Sequence, residues 1–171
     1  MIRIGRIVAT HGLQGSLILT HKAGNSKWLQ VGQPLFIELH KESFIPFFVA
    51  QHRATSEDEY ILQVEDVDTV EAARKLIAKN VYVNEDVLSA FVTDSPLLWI
   101  GFNMVDKTVG ALGTIDDVYQ AGVQWLARVI YKEKEVLVPL VPQIILDVNM
   151  RNRFVRVDLP EGLLEVYLGK G

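Results

Sequence analysis

Only one segment of this chain carries a helical repeat; most of the rest is short apolar runs stopped by turn signals. That punctuation restricts the fold to small β-barrels or sandwiches. Residues 2–8 and 16–20 read as strands joined at a corner holding Gly12 and Gly15, three residues apart. Glycine takes positive φ, or admits a neighbouring chain, without the steric cost a Cβ brings. The corner is therefore a tight turn, and it also stands where Arg6 and His11 could be displayed to a partner. Val31-Gly32-Gln33-Pro34 turns into a strand at 35–39. Residues 44–51 form another, bent or at an edge at Pro46, because proline cannot donate to a ladder. The acidic run Ser56-Glu57-Asp58-Glu59 is a solvated hairpin tip before a strand at 60–64.

The helical segment begins at Asp68-Thr69-Val70-Glu71, which reads as a capping box with Asp68 as the cap and Glu71 reaching back to it. Ala73, Leu76 and Ile77 then share one face, for a helix of about three turns. Asn80 is its stop, and residues 81–83 return to strand. Residues 84–97 read as a junction, giving an expected N-terminal domain over 1–88, a linker over 89–96 and a C-terminal domain over 97–171. The second half repeats the β pattern at 97–105, 109–115 and 124–131, turns at Lys132-Glu133-Lys134, and continues at 135–139. Residues 154–159 alternate, with Phe154 a candidate core residue, and Pro160-Glu161-Gly162 leads to a final helical turn.

Composition narrows the function more by exclusion than by signal. The 171 residues are 49% hydrophobic and 22% charged, with no apolar window of 18 residues and no secretory leader, so a soluble, cytoplasmic protein is expected. Cysteine is absent, which removes disulfides, thiolate catalysis and cysteine-based metal sites. The net charge of −4 argues against a protein that coats nucleic acid non-specifically. Its distribution is uneven, with six Lys and Arg against two acids in residues 1–53, and three against nine acids in 54–92. No phosphate-binding loop, dinucleotide fingerprint, HExxH or nucleophile elbow occurs. The four histidines follow no ligand spacing, so neither a metal nor a cofactor is expected. Asp116 and Asp117 are adjacent, which on a strand sends them to opposite faces. Arg151, Arg153 and Arg156 are flanked by Asp147 and Asp158 and read as a solvated hairpin. Trp28, Trp99 and Trp125 are core or rim residues, with an interface role as the second reading.

Taken together, Gly5-Arg6-Ile7-Val8-Ala9-Thr10-His11-Gly12-Leu13-Gln14-Gly15, Val67-Asp68-Thr69-Val70-Glu71-Ala72-Ala73, Ile100-Gly101, Gly110-Ala111-Leu112-Gly113, Glu135 to Pro142 and Val157-Asp158-Leu159-Pro160-Glu161-Gly162-Leu163-Leu164 resemble the RimM family of bacterial ribosome maturation factors, in order and over nearly the whole chain. The resemblance implies an all-β fold of two small barrels, the first like those of translation factors and carrying one short helix, the second a PRC barrel. It implies a monomeric, non-enzymatic factor that binds the small ribosomal subunit through the head protein numbered nineteen, assists head assembly and 16S rRNA processing, contacts 16S rRNA and avoids membranes. Arg6, His11 and Trp99 are the expected partner-binding residues. Gly12, Gly15, Gly101, Gly113, Pro160 and Gly162 are the structural signature. There are departures. The family's basic residue and Gly-Glu after the His-Gly pair are replaced by Gln14, Gly15 and Ser16, and its acidic residue near Trp125 is not evident. Its pair of tyrosines before the second barrel falls on Asp94 and Ser95, or with a small gap near Leu98 and Trp99. Two rivals stand beside this reading: a small-ligand enzyme using His11 as base, and a PRC-type barrel serving a membrane electron-transfer complex.

Overall fold

The computed structural model describes residues 1–24, 26–91 and 95–169, in two compact units, Met1–Leu98 and Trp99–Gly171. The first holds β1 (Ile2–His11), β2 (Ser16–His21), β3 (Pro34–His40), β4 (Ser43–Ala54), β5 (Glu59–Val64) and β6 (Asn80–Val83), with short helices α1 (Val70–Arg74) and α2 (Glu85–Ser89). The strands close into a barrel in the order β1-β2-β5-β4-β3-β6. Its interior follows the period of two: Leu17, Leu19 and His21 of β2 are buried, as are Tyr60, Leu62 and Val64 of β5. Pro46 pairs with Phe36 of β3, while β4 meets β5 only from Val49 onward, so the proline sits where one side of its strand carries no ladder. The Ser56–Glu59 segment is the tip of the β4–β5 hairpin, closed by Thr55 N–H donating to Glu59 O.

The helix is shorter than its repeat suggests, and its cap is one residue later. Thr69, not Asp68, is the N-cap: its Oγ1 accepts from Ala72 N–H at 3.2 Å. After Arg74 the chain tightens into turns and reverses at Ala78, in the left-handed region at φ 69°. There β1 captures the backbone, with Ala78 N–H donating to Ile7 O and Ile7 N–H to Lys79 O. The strand's hydrogen bonds replace those of a third helical turn. Ala73 and Leu76 are buried as expected, but Ile77 is exposed. The expected linker over 89–96 lies partly outside the described residues, at 92–94.

The second unit holds β7 (Asn103–Asp106), β8 (Gly110–Ala121), β9 (Gln124–Tyr131), β10 (Lys134–Pro139), β11 (Ile145–Asn149), β12 (Phe154–Val157) and helix α3 (Leu163–Leu168). Hydrogen bonds run in the order β10-β9-β8-β7-β12-β11, with β12 and β7 parallel and the other pairs antiparallel. One core threads the sheet, including Phe102, Met104, Leu112, Ile115, Val129, Val136 and Val155. The β9–β10 turn places Lys132 and Glu133 at φ 48° and 63°, the two-residue geometry that suits the twist of a hairpin. Strand β11 carries no legible alternation and is absent from the sequence reading. Phe154 is only half-buried, because Val155 and Val157 take the inward face. Asp116 is exposed and pairs with Arg128 at 2.7 Å, whereas Asp117 is buried.

His21 is the buried titratable group of the first barrel. Its ring stacks on Tyr60 at 4.8 Å and meets Trp28 edge-on at 5.5 Å. Its Nδ1 accepts from Ala23 N–H at 3.3 Å, and its Nε2 has no hydrogen-bond partner. Burial lowers its pKa from 6.5 to about 4, against a weaker opposing pull from Asp58. The unfolded chain therefore takes up a proton near pH 6.5 that the folded chain refuses until about 4. The penalty is absent above pH 6.5, grows as pH falls, and reaches about 3 kcal/mol near pH 4. Urea unfolding of the first unit is expected to show this slope in the parent and a flattened one in His21→Phe. Equal slopes would contradict a neutral buried imidazole.

Candidate partner-binding surface

The corner between β1 and β2 is built as a rigid display. Gly12 and Gly15 both have positive φ, at 68° and 80°, but they answer to different constraints. Gly12 borders open space, whereas a Cβ on Gly15 would lie 2.6 Å from Val67 O and 2.9 Å from Thr69 O. The approach of the α1 entry to Gly15 is held by Gln63 of β5. Its Nε2 donates to Gln14 O at 3.0 Å and also to Val67 O, and its Oε1 accepts from Ser16 Oγ at 2.8 Å. One amide thus joins the corner, β2 and the α1 entry. Nothing in the sequence marks Gln63, because its partners are two backbone carbonyls and a serine brought together only by closure of the barrel.

Arg6 and His11 are five residues apart, which in a regular strand would put them on opposite faces. A bulge between Ile7 and Ala9 restores the match: Arg6 pairs with Thr20, Ala9 with Ile18 and His11 with Ser16. Both side chains therefore lie on the outer face of the barrel, and both residues are exposed. They stand roughly 15 Å apart along the strand. Arg6 Nε donates to Ala78 O at 3.0 Å, which orients the guanidinium and leaves its charge uncompensated by that contact. The His11 side chain makes no hydrogen bond or ion pair among the described residues. At the tip beyond it, Leu13 is 85% exposed, an apolar side chain held out on an anchored loop.

In the second unit Trp99 is half-buried and packs against the core, so part of its ring is structural and part is left at the surface. Asp94, one of the alternatives for the family's tyrosine pair, lies outside the described residues. Next to Trp99, Gly101 (φ 90°) admits the Arg153 guanidinium, which lies over the buried Phe102 ring at 4.8 Å. Gly113 sits opposite Ile130 O at the β8 bulge, and Pro160-Glu161-Gly162 forms the turn before α3, with Gly162 as its N-cap.

The chain leading into that last turn is tied to the β7–β8 turn by Asp106. The carboxylate is 5% exposed. Its Oδ2 accepts from Thr108 N–H at 2.8 Å and Val109 N–H at 2.9 Å, and its Oδ1 from Leu159 N–H at 2.8 Å. Burial by itself raises its pKa, but the backbone donors outweigh that and hold the group below its ordinary value. The Asp106-Lys107-Thr108 pattern carries the signal of an Asx turn. The long-range partner Leu159 does not show in it. Among the described residues no three His, Asp or Glu side chains gather as a metal site, and no helix is long and apolar enough to cross a membrane.

Comparison with known proteins agrees with this architecture. The family model for the RimM N-terminal domain matches residues 2–88, and that for the RimM PRC barrel domain matches residues 99–163. Among similar proteins, the ribosome maturation factor RimM of Parabacteroides distasonis is 31% identical, over 97% of this chain and 96% of its own length. That of Bacteroides thetaiotaomicron is 31% identical over 96% of this chain and 92% of its own. That of Thermosipho africanus is 30% identical over 90% and 88%. A solved 16S ribosomal RNA processing protein RimM from Pseudomonas aeruginosa is 18% identical and aligns over 93% of this chain and 97% of its own, at a TM-score of 0.45. Two domain models in the right order, with relatives matched nearly end to end, place the chain in the RimM family of ribosome maturation factors.

Proposed function

We propose that this chain binds the small ribosomal subunit while its head is assembling, through the ribosomal protein numbered nineteen, and promotes 16S rRNA processing without catalysis. The observation that carries the reading is the match of both family domain models, in order, to residues 2–88 and 99–163. Binding alone accounts for such an effect. A factor with higher affinity for one conformation of an intermediate raises the population of that conformation, and no covalent step is needed. A pre-organised surface adds to this by lowering the ordering cost of association, and the Gln63-anchored corner is of that kind.

In this reading an N-terminal domain over 1–88 and a C-terminal domain over 97–171, joined by 89–96, divide the work. The second grips the protein partner with the exposed part of Trp99. The first turns Arg6 and His11 toward 16S rRNA, and the acidic turn Glu57-Asp58-Glu59 toward a basic ribosomal protein. The protein acts as a monomer in the cytoplasm. The exposed, unpartnered state of His11 gives the rival enzyme reading no enclosed base to work with.

The test is a sucrose-gradient profile of cells lacking the gene, with 16S precursor measured by primer extension. Accumulated free small subunits and unprocessed precursor are expected, restored by the parent chain. Arg6→Glu combined with His11→Ala is expected to restore less than half of the parental effect. A normal profile in the deletion strain would overturn the assignment.

A further inference from the structure

The second unit carries a groove of about 370 Å³ that belongs to none of the residues assigned above to partner binding. Val109, Leu159 and Leu164 supply its apolar surface, and Glu161 and Glu165 its charge. Val109, in the turn before β8, is 47% exposed. Glu161 and Glu165 are exposed and form no ion pair among the described residues. Asp106, the remaining carboxylate in the lining, is spent on the backbone donors of Thr108, Val109 and Leu159. It is therefore not a ligand. It fastens one wall, at 108–109, to the other, at 159, and so fixes the width of the groove.

The sign of the rim selects the occupant. Two exposed carboxylates with no ion-pair partner among the described residues, beside an apolar floor, repel phosphate and favour a cationic side chain whose aliphatic stem can lie on Val109 and Leu164. The first unit holds a contrasting groove, with Leu39, Phe47 and Leu76 on its surface and Lys75, Lys79 and His40 around it against a single acid, Asp66. A basic protein segment is repelled there and attracted here. Lys107, the nearest cation in sequence, is exposed and does not line the acidic groove.

We infer that the groove between the Thr108–Val109 turn and the α3 entry docks a basic protein segment, with Lys or Arg reaching Glu161 and Glu165 and an apolar side chain seated against Val109 and Leu164. The inference rests on the proposed binding to the small subunit and assigns one of its contacts to a ribosomal protein rather than to rRNA. The rigid width set by Asp106 favours an extended segment over a folded domain.

The experiment uses the full chain and salt-washed immature small subunits. In co-sedimentation, the double variant Glu161→Lys, Glu165→Lys is expected to bind about tenfold more weakly than the parent, with a shallower dependence on salt. The double variant Glu161→Gln, Glu165→Gln keeps side-chain size and is expected to fall between the two, which separates lost charge from lost folding. Benzoylphenylalanine carried at position 109 is expected to cross-link to a small-subunit protein. Parental affinity in both double variants, or a cross-link to 16S rRNA, would overturn the docking inference while leaving the proposed function standing. A parent chain that fails to co-sediment would overturn the proposed function itself.

Discussion

Gly5→Ala is expected to destabilise the first unit by about 4 kcal/mol or more, enough to remove most of its stability. Gly5 lies in β1 between two partners, paired with His21 of β2 and Val81 of β6. A Cβ built there would stand 1.9 Å from Thr20 O and 2.9 Å from His21 Cα. Those are backbone atoms of a hydrogen-bonded strand, so relief requires moving β2 away from β1 and losing its register. The usual benefit of alanine over glycine, about 0.4–1 kcal/mol through the unfolded chain, is far too small to offset that. Gly15 also meets backbone atoms, at 2.6 Å and beyond, but the clash at Gly5 is closer and falls on a hydrogen-bonded ladder. Hydrogen exchange reads the effect against an internal reference. Protection at Ile4, Ile7 and Leu19 is expected to collapse, while that at Met104 and Val129 in the second unit persists. A variant within about 1 kcal/mol of the parent would show that β1 and β2 are not so closely apposed.

Asp106→Asn is expected to cost the second unit about 2–4 kcal/mol, although it changes the side-chain volume little. The carboxylate presents two acceptor oxygens to three N–H donors. Asparagine has a single oxygen. Whichever side that oxygen serves, its amide nitrogen faces a backbone N–H on the other, leaving a buried donor without an acceptor. Faster exchange is expected at Leu159 or at the Thr108–Val109 pair, and the docking groove should loosen with it. The charge also sets a pH dependence. Because the folded group is held below its ordinary pKa, its contribution is complete above the unfolded value and is lost as pH falls through the lower folded value. The parent is therefore expected to lose stability in acid below the ordinary aspartate range more steeply than Asp106→Asn. Matching acid profiles would mean that the carboxylate is not charged in the folded protein.

What could be read directly were features whose cause is local. Strands β9 and β10, the charged Lys132–Lys134 turn and the Ser56–Glu59 tip follow from alternation and turn chemistry alone. So does the edge position of Pro46, which is set by a missing N–H. The family was legible because the motifs at both ends of the chain keep their order. In the α1 region tertiary hydrogen bonds override the helical period. Ile7 takes the backbone of Ala78 and Lys79, and the helix stops at Arg74 instead of running on toward Asn80. Strand β11 is not legible in the sequence because its pairing with β12, not its own pattern, makes it a strand.

The candidate surface divides in the same way. By itself the sequence determined a β-rich chain in two halves, with a tight corner at Gly12 and Gly15 carrying Arg6 and His11. It could not place Arg6 and His11 on one face, because that depends on a bulge in the pairing of β1 with β2. Nor could it single out Gln63 and Asp106, whose partners Gln14, Val67 and Leu159 are 49, 4 and 53 residues away. Local propensity acts over a few neighbouring residues, whereas each of these side chains also bonds a distant backbone group, Gln14 O for Gln63 and Leu159 N–H for Asp106, that only strand pairing brings within reach. The corner was written in the chain; its orientation and its anchoring were decided by the tertiary fold.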